Sequence, residues 1–270
     1  MNRVLPVLGA AVLLPLAFAF PASAGSAGAE VRVLHGIPGT PVDVYVDGAR
    51  ALDDFAPGTV TDDLALAAGE YEVAVFAADA ADDSGTAVIG PVTLKVPASG
   101  NVSVVAHLTE AGEPTITPFV NDTSRASAGQ GRVVVRHTAA APTVDVLVGG
   151  KAALTGITNP GEKSASLPVG TISASVAATG TTEPVIGPVD VPVVAGQATI
   201  VYAVGSLTDD TLDVLVQSVR LGGAPHGVPA GSGGLLAQDG VPAGLLLASG
   251  LGLALVTAGG ARLVLTRREQ

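Results

Sequence analysis

The chain has 270 residues, a net charge of −11 and no cysteine. A disulfide scaffold is thereby excluded, so buried apolar surface must hold the fold, and the acidic balance disfavours a nucleic-acid partner, which needs clustered Lys and Arg. Hydrophobic residues at 48% beside 35 Gly and 19 Pro describe a turn-rich folded chain rather than a disordered one.

The first 24 residues read as a signal peptide. Arg3 precedes an apolar run over 4–20, and Ala22-Ser23-Ala24 supplies the small residues of a cleavage site. A first β-domain then occupies 25–120. In "PVDVYVDG", Val42, Val44 and Val46 alternate with Asp43, Tyr45 and Asp47, the period of a strand with one buried face. Asp47-Gly48 supplies the positive φ of a tight hairpin. Further strands are predicted over 31–35, 62–66, 70–77, 89–96, 101–107 and 115–120, giving seven.

A second domain, 121–221, says nearly the same again. "HGIPGTPVDVYVDG" from His35 returns as "HTAAAPTVDVLVGG" from His137, and "LAAGEYEVAVFAA" as "LPVGTISASVAA". The two copies fall out of step chiefly at 77–87, a loop that is longer and acidic in the first. This pattern is a tandem duplication. Strands are predicted in the second copy over 132–137, 144–148, 163–167, 171–178, 185–194, 197–204 and 212–219. Seven short strands per copy, no amphipathic helix and regular turns define an all-β fold: two tandem immunoglobulin-like or transthyretin-like β-sandwich domains. Charge is uneven, since 30–120 holds 14 acidic residues against three basic ones and 121–220 holds 8 against 6.

Residues 222–240 are a Gly/Pro-rich stalk. The segment 241–265 is a transmembrane helix, uncharged over 241–261 and long enough at about 1.5 Å per residue to cross a core of about 30 Å. Arg267 and Arg268 in the tail, 266–270, place the C-terminus in the cytoplasm and the domains outside. The layout resembles the sorting region of Gram-positive cell-wall proteins, but Val228-Pro229-Ala230-Gly231-Ser232 lacks the Thr-Gly bond that a sortase cleaves, so a retained anchor is expected.

The opening motif, "VRVLHGIPGTPVDVYVDG" with the later "LAAGEYEVAVF", resembles an uncharacterised family of exported bacterial β-domains whose members begin Val-His-x-x-Pro and continue Val-Asp-Val-Tyr-Val-Asp-Gly. The second copy departs from it at Leu147, Gly149 and Ala140-Ala141-Pro142. The resemblance implies a surface β-domain and no established activity.

The sequence offers few groups for chemistry. It has no Gly-x-Ser-x-Gly elbow and no His-Glu-x-x-His, so no catalytic residues are assigned. His35 and His137 recur at one place, ahead of Asp43 and Asp145, and admit two readings. Either each pair forms a ligand or metal position, with Tyr45 as the exposed aromatic platform, or the imidazole bonds a loop backbone and the aspartate fixes the turn that follows. Asp79, Asp82 and Asp83 could hold Ca2+, although their spacing is not that of a twelve-residue calcium loop; otherwise no cofactor is expected. The sequence therefore points to a non-enzymatic surface protein for adhesion, ligand presentation or spacing. Its partners would be the membrane, through its C-terminal helix, and an envelope macromolecule. The alternative is an envelope solute- or metal-binding protein using the acidic loop and the His/Asp positions.

Overall fold

The valine alternation becomes sixteen strands. The computed structural model describes residues 28–222 apart from Thr40 and Asp79. The expected signal peptide, membrane helix and tail lie outside the described residues, as does the stalk beyond Gly222. Among the described residues no helix is long and apolar enough to cross a membrane.

The first eight strands are β1 (Gly28–His35), β2 (Val42–Val46), β3 (Ala49–Phe55), β4 (Leu64–Ala67), β5 (Gly69–Ala77), β6 (Ile89–Val96), β7 (Asn101–Leu108) and β8 (Pro114–Asn121). They form two sheets of order β4-β1-β7-β8 and β3-β2-β5-β6. Val31, Val102 and Val104 of one sheet meet Val44, Val75 and Leu94 of the other in a single apolar core. The next eight are β9 (Gln130–His137), β10 (Val144–Val148), β11 (Lys151–Ile157), β12 (Gly161–Pro168), β13 (Gly170–Ala178), β14 (Pro184–Val193), β15 (Gln197–Val204) and β16 (Asp213–Arg220). Their sheets, β12-β9-β15-β16 and β11-β10-β13-β14, repeat the same order and close on Val133, Val146, Val176 and Val191.

Each half thus has eight strands where seven were predicted. The additional ones, β3 and β11, return along β2 and β10 from the predicted hairpins, whose turns have positive φ at Asp47 and Gly48 and at Gly149 and Gly150. Both are edge strands broken by register shifts. A bulge destroys the period of two, and "ARALDDF" carries little apolar signal beyond Leu52 and Phe55. Strand β1 lies between β4 and β7 and runs parallel to β7. In the A-B-E-D sheet of an immunoglobulin constant domain the first strand lies beside the second, so the order here is a different one.

The inner sheets, β4-β1-β7-β8 and β12-β9-β15-β16, have a second buried face. Strand β7 is buried at all eight positions: Val102, Val104 and Ala106 enter the first core, while Val105 joins Leu34 in a cluster with Val134, Ile200, Tyr202 and Leu215 of the second half. That cluster is the joint between the halves. Leu34 and Val105 are both 0% exposed, and burying such side chains is worth about 1.5–3 kcal/mol each. Gly36 permits the close approach, because a Cβ there would stand 2.7 Å from Cγ1 of Val204.

Candidate functional site

The recurrent histidines close the ends of β1 and β9, and both are 1% exposed. Nδ1 of His35 accepts a hydrogen bond from the Ile37 amide at 3.4 Å, and its ring lies 5.7 Å from that of Phe55. In His137, Nε2 stands 3.1 Å from the carbonyl of Ala141 and 2.9 Å from that of Pro142, two acceptors that assign the proton to this nitrogen. Burial pushes the His137 pKa below the usual imidazole value, against the pull of those carbonyls.

The aspartates take other partners. Oδ1 of Asp43 accepts from the Asp54 amide at 2.9 Å, and Oδ1 of Asp145 accepts from the Gly156 amide at 2.8 Å. Asp54 and Gly156 both have positive φ, 48° and 67°, so each aspartate holds the irregular turn of the strand beside it. Asp145 also accepts from the Thr179 hydroxyl at 2.8 Å and the Gly180 amide at 3.1 Å. The Gly156 and Gly180 amides, in that order, keep its carboxyl below the usual range.

Tyr45 is not an exposed platform. It is 5% exposed, edge-on to Phe76 with ring centroids 5.2 Å apart. Its hydroxyl donates to the carbonyl of Ala80 at 3.4 Å and accepts from Nε of Arg50 at 3.1 Å. The long loop after β5 covers the outer face of β2, so Asp43 and Tyr45 are buried on the side that alternation assigned to solvent. A cleft of about 240 Å³ remains there, lined by Tyr45, Glu72, Phe76 and Asp83 among others. Oδ1 of Asp82 accepts from both the amide and the hydroxyl of Ser84 at 3.0 and 2.5 Å, contacts that lower its pKa. Asp79 lies outside the described residues. Among the described residues no three His, Asp or Glu come together as a metal cluster.

The densest polar constellation escaped the sequence reading and lies in the joint. Arg136 of β9 is 1% exposed. Its guanidinium donates to Oε2 of Glu162, the Tyr202 hydroxyl and Oδ1 of Asn121, each at 2.7 Å, and sits 4.3 Å from the Phe119 ring centroid. Tyr202 donates to Oε1 of Gln217 at 2.6 Å, which also accepts from Ser103 at 2.8 Å. Asn121 donates to Asn101 at 2.5 Å and to Ser103 at 2.9 Å. Burial raises the Tyr202 pKa, opposed by Arg136. At the other end of the joint, Nδ2 of Asn159 donates to the carbonyls of Leu108 and Ala139 at 2.8 and 2.6 Å, and His107 bonds the same Leu108 carbonyl and the Thr117 hydroxyl at 2.9 and 2.8 Å. The available signal was the near-continuous apolar run of "NVSVVAHL" and "QATIVYAV", which marks strands buried on both faces.

A protein of paired β-sheets, whose recurrent His and Asp residues hold backbone and whose buried polar groups join its two halves, is the class these observations define. Residues 29–147 match the family described as Domain of unknown function (DUF4397). The match begins in β1, takes in the whole first half and ends in β10 of the second. No curated protein matches the chain.

Proposed function

We propose that the chain is a membrane-anchored bacterial cell-surface protein presenting two tandem β-sandwich modules as one stiff, non-enzymatic unit for adhesion, ligand presentation or spacing. In this reading 1–24 direct export, 222–240 form the stalk, and 241–265 span the bilayer with the tail inside. The strand order favours the transthyretin-like alternative for each module, and 121–221 is read as a second copy of the first. The joint is the observation that carries the proposal. A buried apolar cluster crossed by the Arg136 network removes the freedom that a short linker would otherwise leave. Stiff paired modules on a tether hold a surface away from the bilayer and let weak contacts add.

The absence of cysteine from the chain gives a direct test. Single cysteines at Asp83→Cys and Gln270→Cys are exposed to a membrane-impermeant maleimide in intact cells. Labelling at 83 in intact cells, with labelling at 270 only after permeabilisation, is the expected result. Labelling at both positions or at neither in intact cells overturns the anchored topology.

A further inference from the structure

The two sandwiches share a strand order but differ in how well their cores are filled. The space between the sheets of the first is about 80 Å³; the corresponding space in the second is about 300 Å³ and has almost no polar lining. The cause is visible at matching register positions. Leu64, Tyr71, Leu94 and Ile116 of the first have Ala165, Ile172, Val191 and Val214 as counterparts in the second, each of them smaller. Natural cores are packed nearly to the density of organic crystals, so a space of this size is a feature of the second half and not a property of the topology. It is about twice the ~150 Å³ apolar cavity that admits a benzene and reaches the lower end of the range of small-molecule sites, about 300 Å³.

Edge strands β11 and β12 contribute Leu154 and Leu167, both half-buried, to the lining of this space, and Val148 of the neighbouring β10, also in the lining, is 38% exposed. Two of the chain's three lysines lie on these two edge strands, Lys151 on β11 and Lys163 on β12. Lys151 pairs with Val148 and Lys163 with Val135, both cavity-lining residues, and directly opposed residues share a sheet face. Both lysines therefore rise from the face that carries the cavity. Lys163 donates to the Thr155 carbonyl on the opposite strand, and among the described residues neither lysine is in an ion pair. In the strongly acidic first half the matching edge strands, β3 and β4, carry a single basic residue, Arg50, which is paired with Asp53 and bonded to Tyr45.

We propose that the second sandwich takes up one unbranched acyl chain of about ten carbons between its sheets, entering through the β11–β12 seam with its anionic end at the rim bearing Lys151 and Lys163. The occupant is an amphiphile with an apolar chain and a carboxylate or phosphate head, supplied either as a free fatty acid or as a chain of an anionic lipid.

The full chain in detergent-free nanodiscs is titrated with dodecanoate and, separately, with dodecanol, by calorimetry and thermal shift. Saturable one-to-one binding of dodecanoate with a rise in Tm is expected, about tenfold tighter than dodecanol. A filled variant, Ala165→Leu with Val191→Leu and Val214→Ile, introduces the first sandwich's side chains at three of these four positions. It is expected to melt higher than the wild type and to lose binding, so the loss cannot be ascribed to unfolding. Lys151→Met with Lys163→Met is expected to abolish the preference for dodecanoate while leaving dodecanol binding unchanged. Retention of residues 25–222 on anionic diacyl vesicles, lost in the filled variant, assigns the chain to a lipid; dodecanoate binding without vesicle retention assigns it to a free acid. No saturable binding by the wild type, or equal binding by the filled variant, overturns the site. An undiminished preference in the lysine variant overturns the anionic end and leaves the lysines as guards against edge-to-edge pairing.

Discussion

His107 and His137 are each buried and each donate a ring N–H to a backbone carbonyl. Both have pKa values lowered chiefly by burial, and their mutual repulsion lowers that of His107 further. The folded state therefore favours neutral rings, and on acidification the unfolded chain takes up protons first, from about pH 6.5 downward. Stability contributed by the neutral rings is complete above that value and is lost as pH falls below it toward the folded-state pKa values. Thermal melts between pH 8 and 5 should show Tm falling in the lower half of the range, with a shallower fall in His107→Gln; an identical slope in the variant would refute this origin. Asp145 acts in a lower window: its depressed carboxyl holds stability that is present above about pH 3.9 and lost below it. The turn it anchors has a steric signature as well. Gly156 has φ of 67°, so Gly156→Ala should cost about 1 kcal/mol in urea unfolding, the left-handed penalty less the entropy lost from the unfolded chain.

At the scale of elements, β9 contributes one residue that organises four strands. Arg136→Met would leave Oδ1 of Asn121 and the Tyr202 hydroxyl without their charged donor, while Glu162, half-exposed, turns to water. A loss of about 2–3 kcal/mol is expected in equilibrium unfolding, and Arg136→Lys should recover only part of it, because an ammonium cannot replace a planar fork on three acceptors. Full recovery by lysine would show that charge alone matters. The valine-rich strands and their hairpins were legible because each rests on local information, the period of two and turn residues with positive φ. Strands β3 and β11 were not, because edge strands with bulges carry no clean period. The burial of Tyr45 depends on a loop some thirty residues downstream, and alternation within β2 contains nothing about it. The recurrence of His35 and Asp43 as His137 and Asp145 was visible at once, but their partners, Ile37, Asp54, Ala141 and Gly156, are backbone groups with no sequence signature.

At the scale of the whole molecule, similarity between the halves stops at the joint. On the central strands core-facing valines recur, as with Val31 and Val133 or Val44 and Val146, whereas the joint faces differ even there: Leu34 stands where the second half has Arg136, Val105 where it has Tyr202, and Ser103 where it has Ile200. Each face is shaped for the other and not for its own copy, which disfavours pairing of two first halves or two second halves. The same surfaces would be in water if the halves came apart, exposing Leu34, Val105, Ile200 and Tyr202 together with the Arg136 network. Residues 25–222 should accordingly unfold in one transition, with calorimetric and van't Hoff enthalpies equal. Residues 25–121 alone should melt at lower temperature or self-associate through the uncovered face of β1 and β7. Two resolved transitions in the intact pair, the first matching the isolated half, would show that the joint does not couple the sandwiches and would remove the physical basis for reading them as one stiff unit.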